Sequence, residues 1–261
     1  MSLTIGHTRT GELSTIPPPR PPPALAEPEH PTSLHAESVQ ADHSTGELRY
    51  SFAGRSILRV FTDGSIRGAS TQWLAAATWA LYIAPHHANN CARQMKTLWP
   101  TSFSAESYAI LQALRVCGEH LHLYCDNQSA TKLFESILDE MYHGGPANNL
   151  YYISRNADKE TWTLIYRLIR QRKATKILTR VTWIPSHTLD SYVTPERLQR
   201  QRQYLQAGGT LEQLQYNKEA DLLAEAAHAR SEVLETLRNA AAARARLACL
   251  VQKMYTHLWI E

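Results

Sequence analysis

The stretch ILRVFTDGS, Ile57 to Ser65, decides the fold. Ile57, Val60, Phe61 and Thr62 are β-branched or aromatic, and the Asp-Gly-Ser that follows is turn chemistry. The stretch predicts a short strand over Ile57–Thr62, closed by Asp63-Gly64-Ser65. A second run, Leu121-His122-Leu123-Tyr124-Cys125, stops in the same way at Asp126. In open α/β sheets the crevice at the carboxyl ends of the strands is where ligands bind. If the two strands are parallel neighbours, Asp63 and Asp126 converge there.

Working outward, Trp73–Ile83 reads as a second strand, and Arg93–Trp99 as a third returning through the loop at His86–Asn90. Ser104–Gly118 has a serine cap and apolar residues at helical spacing. Gln128–Met141 and Lys159–Arg172 predict two more helices, and Ile177–Ile184 a fifth strand. From Leu211 onward the chain is rich in Ala, Leu, Arg and Glu and predicts helix. The order is α/β, with a mixed sheet whose first three strands form a meander and whose later strands add in parallel.

Eight of the 13 prolines lie between Pro17 and Pro31. Such a run favours polyproline II and cannot feed a core, so residues 1–52 are expected to be a disordered, Pro-rich tail. The run PPPRPPP also leaves open a docking site for a proline-reading domain. Order is expected over 53–230, with a polar insert at 188–216 and a helical extension at 231–261.

Composition narrows the function classes little. The 261 residues are 43% hydrophobic and carry a net charge of +3, too small to name a partner. Cys91, Cys117, Cys125 and Cys249 include no C-x-x-C pair, which argues against a zinc site or a disulfide framework. The expectation is an intracellular protein, cytoplasmic or nuclear, not secreted and not in a membrane.

Singly, an aspartate after a strand is more often a turn or cap residue than a ligand. Glu106 shares a helix face with Ile110, Ala113 and Cys117, where a carboxylate is costly unless paired or bound to a metal. A first-turn glutamate favoured by the helix dipole is the equal alternative. Asp221, in NKEADLLA, would alone pass for a solvated helix residue. Together the four have one shared explanation. Hard dications take oxygen ligands, and two of them can clamp the attacking and leaving oxygens of a phosphodiester.

The chain resembles the type 1 ribonucleases H, including those of retroelement reverse transcriptases. The resemblance is carried by FTDGS (Phe61–Ser65), SAESYAILQAL (Ser104–Leu114), LYCDN (Leu123–Asn127), WIPSH (Trp183–His187) and NKEADLLA (Asn217–Ala224), over about residues 56 to 230. It implies a ribonuclease H-like fold, a mixed five-stranded sheet flanked by helices with its first three strands antiparallel. It implies Asp63, Glu106, Asp126 and Asp221 as catalytic carboxylates holding two Mg2+ ions, with Mn2+ as a substitute. His187 resembles the family's histidine that assists proton transfer or product release. Gly64 and Ser65 would lie against the RNA strand, and Asn127 and Gln128 would read minor-groove edges and 2′-hydroxyls.

The family's pattern is broken between His187 and Asn217, where a polar insert replaces a short Gly-rich loop. It predicts a helix over Pro195–Ala207, ended by Gly208-Gly209. Arg197, Arg200 and Arg202 either touch nucleic acid or form a solvated face. A second basic cluster holds Arg167, Arg170, Arg172, Lys173 and Lys176, beside Trp162 and Tyr166. The resemblance implies a basic element near here that grips the DNA strand, with Arg170, Arg172 and Lys173 as its candidates, against the ordinary placement of cations at a helix C-terminus.

The expected activity is hydrolysis of the RNA strand of RNA–DNA hybrids by a two-metal-ion mechanism, in a retroelement-derived domain beside a reverse transcriptase. The alternatives are an inactive nucleic-acid-binding connector and a DNA-cleaving nuclease of the same fold. The C-terminal ARARLACLVQKMYTHLWI is apolar enough to pack on a partner, although packing on its own domain is the expectation.

Overall fold

The computed structural model describes residues 39–41, 47–68, 75–97, 100–229 and 235–258. Two strands, β1 (Val39–Ala41) and β2 (Leu48–Phe52), precede the one that decided the fold. β2 buries Leu48 and Tyr50 and pairs antiparallel with the start of β3 (Arg55–Arg67). The stretch read as a tail to residue 52 therefore ends in sheet. The proline run lies outside the described residues.

β3 runs for 13 residues, straight through Asp63-Gly64-Ser65. The turn expected there does not form, because these residues pair in register with β4 (Ala76–Tyr82), Asp63 opposite Ala80 and Gly64 opposite Trp79. β5 (Cys91–Gln94) completes the antiparallel meander. Trp73 and Trp99, the outer ends of two expected strands, lie outside the described residues.

α1 (Ser102–Val116) follows. Its cap is Thr101 and not the expected Ser104, which is the reciprocal partner of a capping box: Ser104 N donates to Thr101 Oγ1 at 2.9 Å, and Thr101 N donates to Ser104 Oγ at 2.7 Å. β6 (Leu121–Cys125) lies parallel to β3, and α2 (Gln128–Tyr142) begins behind its Asn127 cap. A short α3 (Asn149–Ser154), absent from the sequence reading, leads into α4 (Lys159–Ala174). β7 (Thr179–Trp183) adds parallel to β6. The core order is β5-β4-β3-β6-β7, the mixed five-stranded sheet of a ribonuclease H-like fold, extended by β1 and β2.

The helical insert forms as α5 (Pro195–Gln206), capped by Thr194 with Pro195 in its first turn. α6 (Leu211–His228) and α7 (Glu235–Leu258) end the chain. α1, α2 and α4 cover one face of the sheet, where Val60, Leu121 and Leu123 meet Ile110, Phe134 and Trp162. α6 covers the other, where Phe61, Tyr82 and Tyr124 meet Leu214 and Ala220. On α7, Leu247, Leu250, Met254 and Tyr255 are more than half exposed, so these apolar side chains do not pack on the domain as expected. Among the described residues no helix is long and apolar enough to cross a membrane.

Candidate functional site

Alternation along β3 sends Val60 and Thr62 toward α1, and Phe61, Asp63 and Ser65 toward α6. Gly64 lies on the α1 side. A Cβ built there would sit 2.3 Å from the backbone nitrogen of Glu106 and 2.5 Å from the carbonyl carbon of Ala105. Only glycine lets α1 settle this closely on β3. The contact delivers Glu106 beside Asp63, which makes Gly64 a packing requirement of the site and not a turn residue.

Asp126 leaves the end of β6, held by Trp183, whose indole Nε1 donates to the Asp126 carbonyl at 2.9 Å. Asp63, Glu106 and Asp126 each offer a carboxylate oxygen, and these atoms lie within 4.8 Å of one another. Asp63 and Glu106 are each 4% exposed. Asp221 approaches from α6, and all four acids line one cleft of about 520 Å3.

Burial pushes the Asp63 carboxyl well above the usual carboxylate range, and the negative charges of Asp126, Asp221 and Glu225 push it further. Glu106 is raised by burial and then by Asp126, Cys125 and Asp63. Asp126 and Asp221 are also raised by burial, offset in part by a hydrogen bond with Glu106 at Asp126 and by His187 at both. So many carboxylates cannot ionise together in a low dielectric without a cation. Asp63 Oδ2 is buried, and among the described residues it has no hydrogen-bond partner. An all-oxygen, acid-rich set with an orphaned ligand atom fits a hard divalent ion.

His187 has a left-handed backbone, φ 55°, and lines the cleft. Its Nδ1 lies 3.6 Å from Asp221 Oδ2 and 3.3 Å from Asp190 Oδ2. The departure of the insert from the family's pattern has therefore not carried the histidine away from the acids. Asp190 lies inside the insert, where no local pattern in the sequence marks it as a site residue.

Glu225, four residues beyond Asp221 on α6, is a further lining residue of the cleft that the motifs do not include. Arg67 pairs with this carboxylate and holds its pKa below the usual range, and Ser65 Oγ donates to it at 3.2 Å. The spacing of four from Asp221 was the available signal. Ser65 thus faces α6 at the cleft rim.

The expected nucleic-acid residues divide. Gly64, Ser65 and Asn127 line the cleft, while Gln128 is exposed at the start of α2. Asn127 Oδ1 accepts from Ala130 N at 3.0 Å, so its side chain also caps the helix. Arg170 is exposed. Lys173 donates to the Met141 carbonyl and lies over the Tyr142 ring. Arg172 departs from its expected role. It is 5% exposed and spends its guanidinium on Thr179 Oγ1 at 2.7 Å and the carbonyls of Cys117 at 2.6 Å and Glu119 at 2.5 Å. It braces α4 against β7 and the α1–β6 loop, and its burial keeps it from a phosphate. Among the described residues lining the cleft, none of these three cations is present.

No protein-family model matches the chain, and no curated protein matches it. Among solved structures, it is similar to the native crystal structure of the prototype foamy virus protease–reverse transcriptase, with a TM-score of 0.39 and 13% identity, over 68% of this chain and 21% of that one. It is also similar to the foamy viral protease–reverse transcriptase in complex with dsDNA, with a TM-score of 0.41 and 12% identity, over 65% of this chain and 92% of that one. The chain thus spans about a fifth of the first of these. The ribonuclease H-like fold class rests on the strand order.

Proposed function

We propose that this domain is an endonuclease that hydrolyses the RNA strand of RNA–DNA hybrids. The observation that carries the reading is the cluster of Asp63, Glu106 and Asp126, drawn from three elements to within 4.8 Å, with one buried oxygen left unpartnered. Asp63, Glu106, Asp126 and Asp221 would hold two magnesium ions, or manganese in their place, and the bound ions would supply Lewis-acid activation of water and charge neutralisation at the departing 3′-oxygen.

The chain's own groups do the rest. Gly64 fixes the spacing between the strand that carries Asp63 and the helix that carries Glu106. His187, with Nδ1 turned to Asp190 and Asp221, keeps Nε2 for moving a proton at the reacting phosphate. Gly64, Ser65, Asn127 and Gln128 contact the RNA strand, where a 2′-hydroxyl separates RNA from DNA. Arg170 and Lys173 are the cations proposed for the DNA strand, and the products carry 5′-phosphate and 3′-hydroxyl ends. The natural partner is the reverse transcriptase of the same retroelement, which makes hybrids.

The test is magnesium-dependent cleavage of end-labelled RNA–DNA hybrid, duplex DNA and duplex RNA by the full chain, beside Asp126→Asn. Cutting of the hybrid's RNA strand by the wild type alone is the expected result. Binding without cutting by either protein replaces the reading with a connector domain. Preferential cutting of duplex DNA replaces it with a DNA nuclease.

A further inference from the structure

The loop from His187 to Asp190 is the point where the insert meets the cleft, and it is held from two sides. From α5, Arg197 Nη1 lies 3.7 Å from Asp190 Oδ2, and Gln201 Nε2 donates to the Thr188 carbonyl at 3.2 Å. From α6, Lys218 Nζ donates to the Leu189 carbonyl at 2.8 Å. Thr188 is 4% exposed, and Leu189 packs into the cluster around Phe61 and Leu214. A left-handed backbone at a non-glycine residue such as His187, φ 55°, is unfavourable and persists where its surroundings hold it. Here the two helices supply those surroundings.

The imidazole, 42% exposed at its side chain, also has charged neighbours. Among the described residues its Nδ1 faces carboxylate oxygens, Asp190 at 3.3 Å and Asp221 at 3.6 Å. Both accept and neither donates, so the proton of a neutral ring belongs on Nδ1 and the free lone pair on Nε2. Asp221 belongs to the proposed metal-binding set and its oxygens are needed there. Asp190 lines the adjoining pocket but not the acid cleft, and its other neighbour is Arg197. That leaves Asp190 as the carboxylate free to serve the ring.

We propose that the α5 insert is a positioning device for His187, in which Asp190, itself steadied by Arg197, fixes the ring's orientation and its Nδ1–H tautomer so that Nε2 is presented to the cleft. The inference deepens the nuclease reading and rests on it for the reaction that Nε2 serves. Asp190 is a positioning residue: it touches the histidine and not the substrate. Arg197, which the sequence also offered as a nucleic-acid contact, acts here as the second link of the chain.

The experiment compares the full wild-type chain with Asp190→Ala, Asp190→Glu and Arg197→Ala. In steady-state cleavage of the hybrid, Asp190→Ala lowers kcat about tenfold while KM does not rise, since the change touches orientation and not substrate contact. Asp190→Glu, which returns a carboxylate, recovers most of that loss, and Arg197→Ala gives a smaller fall. A second measurement needs no activity. In 15N-histidine-labelled protein at a pH where the ring is neutral, the His187 nitrogens report an Nδ1–H tautomer in the wild type, which shifts toward Nε2–H in Asp190→Ala.

Wild-type kcat in Asp190→Ala overturns the proposal, as does an unchanged tautomer. So does a loss that Asp190→Glu fails to recover, because a carboxylate is what the proposal requires. If the wild type cuts nothing, the nuclease reading fails, and the tautomer still decides whether Asp190 positions His187.

Discussion

The two faces of the sheet are built by different rules. On the α1 side, β6 contributes Leu121, Leu123 and Cys125 to an apolar core whose largest fully buried member is Trp162. On the α6 side, the same strand contributes His122 and Tyr124 to a chain of hydrogen bonds. Tyr50 Oη and His122 Nδ1 lie 2.9 Å apart, and His122 Nε2 and Thr182 Oγ1 lie 2.8 Å apart. Gln213 Nε2 donates to Tyr124 Oη at 3.1 Å, and Tyr204 Oη donates to Gln213 Oε1 at 2.7 Å. β2, β6, β7, α5 and α6 are all joined this way. An apolar face holds its elements by area and tolerates small shifts, whereas a hydrogen-bonded face ties named atoms together. The insert docks on the second face through both, Leu189 and Leu205 packing on its apolar cluster and Tyr204 joining its hydrogen bonds, and this suits an element whose task is orientation.

Three changes separate the faces, in falling order of effect. Trp162→Ala empties the centre of the apolar face and breaks the indole Nε1 bond to Ser107 Oγ at 3.0 Å. It should destabilise the fold by about 3–5 kcal/mol in urea titration, the range for removing a large buried aromatic. A loss under about 1 kcal/mol would mean that this face is not the main store of stability.

The polar face should answer to acid. Burial, with Arg180 and Arg59 nearby, holds His122 well below the ordinary histidine value of 6.5. A depressed base stabilises the fold above that value and withdraws its contribution as pH falls toward the folded-state pKa. Stability should decline below pH 6.5 with a slope approaching about 1.4 kcal/mol per pH unit from this residue, and His122→Gln should flatten it. Thermal melts of both proteins across pH 5 to 7 (roughly one window of histidine titration) check this, and equal slopes would remove His122 from the account.

The smallest change lies where the faces meet. The carboxyl of Asp63 is raised by burial, so its favourable contribution is complete below the ordinary value of 3.8 and is lost as pH rises through the folded-state value. At neutral pH without metal, Asp63→Asn should therefore raise stability by about 1 kcal/mol, and the gain should vanish near pH 3, where the wild-type acid is already neutral. Added magnesium should stabilise the wild type and not the variant. A variant that melts below the wild type in chelator at neutral pH would contradict the raised carboxyl.

Much of this was legible. β6 and the insert helix were readable to within a residue, because an alternating apolar strand and a Thr-Pro helix start are local signals. The four acids could be grouped from their positions, but the resemblance was needed to order them as one site, since strand order is not a local signal. β3 ran past its expected end because Asp-Gly-Ser imitates a turn. The true reason for the glycine is the backbone of α1, which no local pattern reveals. β2 was lost to the proline-rich composition ahead of it, although Leu48 and Tyr50 alternate toward the core. Arg172 was misread as a surface cation. Its spacing of three from Ile169, seven from Ile165 and ten from Trp162 puts it on the buried stripe of α4.

Cys125 ends the strand beneath the acids, its Sγ 3.9 Å from Glu106 Oε2, and burial pushes its thiol up to about 12. The thiolate is the reactive form, so at neutral pH this sulfur is silent while the strand stays closed. Cys249 is exposed on α7 and open to reagent. One molecule therefore carries two clocks. Alkylation of Cys249 keeps the time of the reagent in open solution, and alkylation of Cys125 counts the intervals at which the floor of the acid cleft breathes.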